Sequence, residues 1–124
     1  MMMDQLIEKK QMMAEAMRTS DPQLYSAVYG ENGQILMEGG LLIEGREQIE
    51  NQISSFMALL GPMDVSYRTK DIWEQDELIY ESGHFSYTYA DRDQTPFYTG
   101  TYVFIWRLDD SGKPYIFRNI SIDD

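Results

Sequence analysis

The chain has 124 residues, enough for one domain, and at 43% hydrophobic and 13% aromatic it can build a core of its own. It has no cysteine, one histidine (His84) and a formal net charge of −11, which removes disulfides, thiolate chemistry and a multi-histidine metal site, and makes nucleic acid or an anionic membrane surface a poor partner through bulk charge. No apolar run approaches the ~20 residues of a membrane span, and Met1-Met2-Met3-Asp4 leads into charged residues rather than a secretory signal, so the expectation is a soluble, cytoplasmic, single domain over 1–124.

Asp4 to Met17 reads as a helix. Leu6, Met13 and Met17, with Ile7 and Ala14 beside them, recur at helical spacing, while Glu8, Lys9 and Gln11 take the wet side. Asp21 is a good N-cap and Pro22 suits the first position of a second helix, Pro22 to Tyr29. Gly30-Glu31-Asn32-Gly33 breaks it. Gln34 to Glu38 is a short strand, Gly39-Gly40 a turn, and Leu41 to Glu44 a second extended piece. A third helix runs from Arg46 to Leu60, with Ile49, Ile53, Phe56, Met57 and Leu60 as its apolar stripe and Gly61-Pro62 as its stop.

From Met63 onward the pattern is strand. Val65, Tyr67, Thr69 and Trp73 sit among alternating polar residues, then Gln75-Asp76-Glu77 turns the chain. Leu78 to Ala90 is the next strand, and Asp91-Arg92-Asp93-Gln94 the next turn. Thr95 to Ile122 is a long β-hairpin signal: two aromatic, β-branched runs around Asp109-Asp110-Ser111-Gly112-Lys113. Both faces of its first strand carry apolar side chains, so both faces are expected to pack against something. Helices first and a run of antiparallel strands after them is the α+β pattern.

The order of these elements, with several local motifs, resembles the nuclear transport factor 2-like superfamily, in its SnoaL-like and ketosteroid-isomerase-like branch. Four features carry the resemblance: Ser20-Asp21 followed by Leu24 to Tyr29; Glu44-Gly45-Arg46-Glu47-Gln48-Ile49 opening the third helix; Tyr80-Glu81-Ser82-Gly83-His84-Phe85 in a strand; and Gly100 to Arg107, then Asp110-Ser111-Gly112-Lys113 and a last strand. Tyr115 departs from the Trp that many relatives carry after that turn. The resemblance implies a cystatin-like cone, a curved antiparallel sheet wrapped around the helices, often with an apolar pocket at its mouth. It also implies a homodimer through the outer face of the sheet.

Transferred onto this chain, the resemblance implies an inward set of Glu81, Gly83, Phe85, Tyr87, Tyr102, Phe104, Trp106, Phe117, Asn119 and Ser121, and places Arg107, Arg118 and His84 outward. The isomerase's oxyanion tyrosine falls at Met13, its second donor at Phe104 and its general base near Met37. Methionine and phenylalanine cannot supply those hydrogen bonds, so steroid-type isomerisation is not expected. Glu38, one residue from the base position, and Glu81, inside an aromatic cone, are the candidate catalytic acids or bases. The candidate ligand pocket is Tyr25, Tyr29, Glu81, Phe85, Tyr87, Tyr102, Phe104, Trp106, Phe117 and Asn119. No dinucleotide, P-loop, nucleophile-elbow or metal-ligand motif is present in the sequence, and no cofactor or metal is implied. Three readings stay open: a small-molecule binding domain, which is favoured; a cyclase, dehydratase or isomerase using Glu81 or Glu38; and a ligand-free dimerisation module.

Overall fold

The computed structural model describes residues 2–92 and 94–124; Met1, and Asp93 of the predicted turn, lie outside the described residues. Three helices, α1 (Met2–Thr19), α2 (Pro22–Ser26) and α3 (Arg46–Leu60), pack on one face of a six-stranded sheet. Its strands are β1 (Tyr29–Met37), β2 (Leu41–Glu44), β3 (Met63–Gln75), β4 (Leu78–Tyr89), β5 (Tyr98–Leu108) and β6 (Pro114–Asp123). They lie in the order β2-β1-β6-β5-β4-β3, in a curved, unclosed α+β cone. Neighbours are antiparallel except β1 and β6, which run parallel. No helix among the described residues is long and apolar enough to cross a membrane.

The segment around residues 26–38 differs from expectation. The second helix ends at Ser26, and Tyr29 opens β1 opposite Ile116. Tyr29 is fully buried, and Val28 offers its carbonyl to the Ile116 N–H at 3.0 Å. That sheet bond claims backbone which a longer helix would need, and an aromatic residue suits the strand. Gly30 to Gly33 therefore lies inside β1, at an irregular stretch where the pairing shifts register between Tyr29 and Gln34. Tyr115 packs its ring over Gly30, where a Cβ would come within 2.6 Å of it. Glu38 belongs to a 3-10 turn, Glu38–Gly40, whose two glycines hold φ of 80° and 79°. Those angles suit glycine and few other residues.

Two irregularities set the faces of the sheet. A register shift lies between Thr69 and Asp71 on β3, so Ile72 opposes Glu81 while Trp73 opposes Tyr80 outside. A second shift puts an extra residue in β6: Ile105 opposes Arg118, but Trp106 opposes Ile116. Ile116 and Asn119 thus both face the helices, and Phe117 turns to the outer face. On the inner face, Gly83 opposes Tyr102 and Gly100 opposes Phe85. A Cβ on Gly83 would meet the Tyr102 hydroxyl at 2.7 Å, and one on Gly100 the Phe85 ring at 2.6 Å. Each glycine makes room for the ring across from it.

A polar node fastens α1 to the sheet. The buried face of α1 is Leu6, Lys10, Met13, Ala16 and Met17, so a lysine stands in the middle of an apolar stripe. Its Nζ donates to Glu81 Oε2 and to Thr69 Oγ1, each at 2.7 Å. Glu81, fully buried on β4, accepts three more bonds. Tyr102 donates its hydroxyl to Oε2 at 2.6 Å, Thr69 donates to Oε2 at 3.0 Å, and the Trp106 indole N–H donates to Oε1 at 3.1 Å. One carboxylate thereby joins α1, β3, β4 and β5. A buried ion pair repays its desolvation only when further hydrogen bonds support it, and here both carboxylate oxygens accept at least one. No buried side-chain nitrogen or oxygen among the described residues lacks a partner.

Candidate functional site

Between α3 and the concave side of the sheet lies a cavity of about 380 Å³. The helix wall is Ile49, Gln52, Ile53, Phe56 and Leu60. Their spacing is the apolar stripe of α3, which faces open space before it reaches the sheet. Ile35, Met37 and Ile43 close one side from β1 and β2. Tyr67, Phe85, Tyr87, Tyr102 and Phe104 form the sheet wall, and Tyr25, Phe97, Tyr98, Asn119 and Ser121 complete the lining. The start of α3 is pinned to β1 by Arg46, which donates to the Tyr29 carbonyl through Nε and Nη2 at 3.1 and 2.8 Å.

Of the residues expected in the pocket, Tyr25, Phe85, Tyr87, Tyr102, Phe104 and Asn119 line this cavity. Tyr29, Glu81, Trp106 and Phe117 do not. Tyr29 sits behind Tyr25, hydroxyl to hydroxyl at 3.1 Å. Trp106 is fully buried with its N–H spent on Glu81. Glu81 is enclosed by its own donors, and its two oxygens hold the node rather than open space. Phe117 is on the outer face because of the β6 irregularity, with the Arg107 and Arg118 guanidiniums over its ring at 4.0 and 3.7 Å. His84 is exposed on the outer face, paired across the sheet with Arg68 and Thr101.

The three positions carried over from isomerase chemistry separate as well. Met37 and Phe104 line the cavity, while Met13 is fully buried in the core. Glu38 follows Met37 into the exposed turn at the rim. Lys10 is the functional-looking residue that pattern reading passed over. Its signal was available, since it lies four residues after Leu6 and three before Met13, on the buried face.

The polar lining groups are neutral, and four groups at this end form a chain. Ser121 donates to Asn119 Oδ1 at 3.1 Å, the Asn119 amide donates to the Tyr29 hydroxyl at 2.9 Å, and Tyr29 meets Tyr25. Nearer the opening, the Tyr98 hydroxyl donates to Asp123 Oδ1 at 2.6 Å. Burial pushes the Tyr25, Tyr29, Tyr67 and Tyr87 phenols well above their usual value of 10.0. Tyr102 is raised too, first by burial and then by its bond to Glu81. No group of three or more His, Asp or Glu side chains among the described residues is arranged to hold a metal ion.

These shifts give an alkaline limit to stability. A phenol whose pKa is raised by folding stabilises the fold fully below about pH 10, and that contribution is lost as pH rises further. Absorbance at 295 nm should therefore show the exposed tyrosines ionising first. The buried set should ionise only together with loss of far-ultraviolet dichroism. Ionisation of all nine tyrosines in a protein still folded would contradict the burial described here.

No protein-family model matches the chain, and no curated protein matches it in sequence. Solved structures do match in shape. A protein of unknown function with a cystatin-like fold from Nostoc punctiforme superposes with a TM-score of 0.83 at 12% identity, over 97% of this chain and 89% of that one. A nuclear transport factor 2-like protein of unknown function from Shewanella oneidensis gives 0.77 at 15% identity, over 99% and 100%. A protein from Catenulispora acidiphila, solved in complex with S-DNPA, gives 0.79 at 13% identity, over 98% and 92%. At such low identity the likeness speaks to architecture, and the architecture is the cystatin-like, nuclear transport factor 2-like cone.

Proposed function

We propose that the chain is a SnoaL-like binding domain that holds a small apolar or aromatic molecule in the cone. The wall of the cavity carries this reading. About 380 Å³ is bounded by aliphatic and aromatic side chains and by neutral hydroxyl and amide groups, with no Asp, Glu, Lys, Arg or His among the described lining residues. Small ligands occupy cavities of roughly 300–1,000 Å³ with such walls. Acid–base turnover needs a titratable group with a free lone pair or proton in reach of the substrate. Glu81 does not line the cavity and is paired with the Lys10 ammonium, and Glu38 stands at the rim. Space of this size also argues against a cone packed solid as a module without a ligand. The neighbour from Catenulispora acidiphila, solved in complex with S-DNPA, adds support from the same fold.

The neutral fluorophore N-phenyl-1-naphthylamine tests the reading. It should bind the native protein saturably, one per chain, with a dissociation constant on the order of 10 μM. Ile53→Trp, which fills the cavity from α3, should weaken binding at least about tenfold by removing that space. Leu59→Trp, on the exposed side of the same helix, should leave it unchanged. Equal binding by all three proteins would place the dye elsewhere and sink the proposal.

We also propose that the outer face of the sheet meets a second copy of the chain. Leu42, Leu36, Ile120 and Val103 are register neighbours across four strands, which makes one continuous apolar row on that face. Exposed Trp73 stacks on Tyr80 at 5.2 Å beside it. Arg107 and Arg118 have no carboxylate in ion-pair range among the described residues, while Glu44 and Asp71 lie on the same face. The patch therefore carries, beside its apolar row, both signs of charge that an isologous contact needs. Sedimentation equilibrium should find a dimer at micromolar concentration, and Val103→Asp should give a folded monomer. A wild-type chain that stays monomeric at 100-fold higher concentration than this would rule the interface out.

A further inference from the structure

We infer that the cavity is built for an organic cation, a tertiary or quaternary ammonium carried on an apolar or aromatic body, with its charge held at the mouth. This rests on the binding reading above and adds to it the charge of the ligand. Two features of the cavity point the same way.

The first is the aromatic wall. The Tyr87 ring has Tyr98, Phe85, Phe56 and Phe97 around it, with centroids at 5.4, 5.7, 6.1 and 6.4 Å, and all five residues line the cavity. Ring faces carry negative quadrupole potential, and alkylated ammonium groups are the ligands that gain most from several rings at once. The second is the sign of charge at the rim. Tyr98, a wall residue, bonds to Asp123 at 2.6 Å, and Glu38 directly follows the wall residue Met37. The turn that bears Glu38 packs against β6, the strand that bears Asp123. Both carboxylates also act on the Tyr98 phenol, helping burial to raise it. Arg92 is occupied over the Tyr89 ring at 4.5 Å and beside Asp91, and it does not line the cavity.

The wall then selects the kind of cation. A primary ammonium brings three N–H donors and a tightly held water shell, so at the mouth it keeps its water beside Glu38 and Asp123 and gains little from the rings. A trimethylammonium brings no such donor. It can shed its weakly held water against aromatic faces and leave no donor unmet. An anion meets the opposite conditions, since no cation is among the described lining residues and two carboxylates stand at the mouth.

Three probes of nearly one shape separate charge from fit: phenyltrimethylammonium, tert-butylbenzene and benzenesulfonate. Each is measured by displacement of N-phenyl-1-naphthylamine from the wild type and from the double variant Glu38→Gln/Asp123→Asn. Asparagine can still accept from Tyr98, so the variant removes charge and keeps the wall. Phenyltrimethylammonium should bind about five- to tenfold more tightly than tert-butylbenzene, and benzenesulfonate should not compete. The double variant should lose at least about threefold for the cation and nothing for tert-butylbenzene. If tert-butylbenzene binds as tightly as the cation, or benzenesulfonate competes, this inference is overturned while the binding reading stands. Cation affinity that ignores the double variant also overturns it. If the fluorophore itself fails to bind, both fall together.

Discussion

The Glu81 carboxylate is the constraint around which the cone is assembled. Sitting on β4, it receives bonds from α1, β3 and β5. Removing one partner of such a pair strands the other charge in the core, at a cost of about 3–5 kcal/mol. That is a large part of the ~5–15 kcal/mol by which a domain is stable. The node also orients its donors. Tyr102 and Trp106 are held by hydrogen bonds at one end, so their rings take fixed places on the concave face. Phe104, between them on β5, packs against both, with centroids 4.3 Å from Tyr102 and 5.8 Å from Trp106.

The cavity follows from that anchoring. With α1 tied down over one end of the sheet, the other end is left to α3, whose Ile49, Ile53, Phe56 and Leu60 line the cavity and whose Phe56 reaches the Tyr87 ring at 6.1 Å. The glycines at 83 and 100 let Tyr102 and Phe85 lie close to the backbone opposite them. Rings that lie close to the sheet leave room above it. The polar chain from Ser121 through Asn119 to Tyr29 and Tyr25 is closed on itself, which keeps that room free of unmet donors. Among the described lining residues none is charged; Glu81 stands in the node, and Glu38 and Asp123 stand at the rim.

Much of the architecture was legible in the sequence because period and turn chemistry agreed there. Arg46 to Leu60 has a clean helical stripe and a Gly-Pro stop, and its ends agree with the structure. The strands from Met63 onward are bounded by polar turns that the fold uses. What pattern reading missed came from competition at longer range. Tyr29 looked helical beside Tyr25, but its backbone is claimed by β6, a strand nearly ninety residues away. Phe117 looked inward by strict alternation, and one extra residue in β6 turned it out. Glu81 looked like a candidate base because burial can be read from a sequence far more easily than hydrogen-bond partners can. Lys10, its partner, comes from a helix read for its apolar residues alone. The α3 side of the cavity was read only as an apolar stripe, since helical spacing cannot tell a packed face from one that borders a hollow.

The proposal that Glu81 is a strut beneath a cavity that binds without using it is tested most directly by measuring two quantities on Glu81→Gln. Glutamine keeps the shape and one good acceptor but cannot match the Lys10 charge. Unfolding free energy should fall by about 2–4 kcal/mol relative to wild type. The affinity for N-phenyl-1-naphthylamine, measured where the variant is still folded, should stay within about twofold. A variant as stable as wild type, or a folded one that has lost the ligand, would contradict the account.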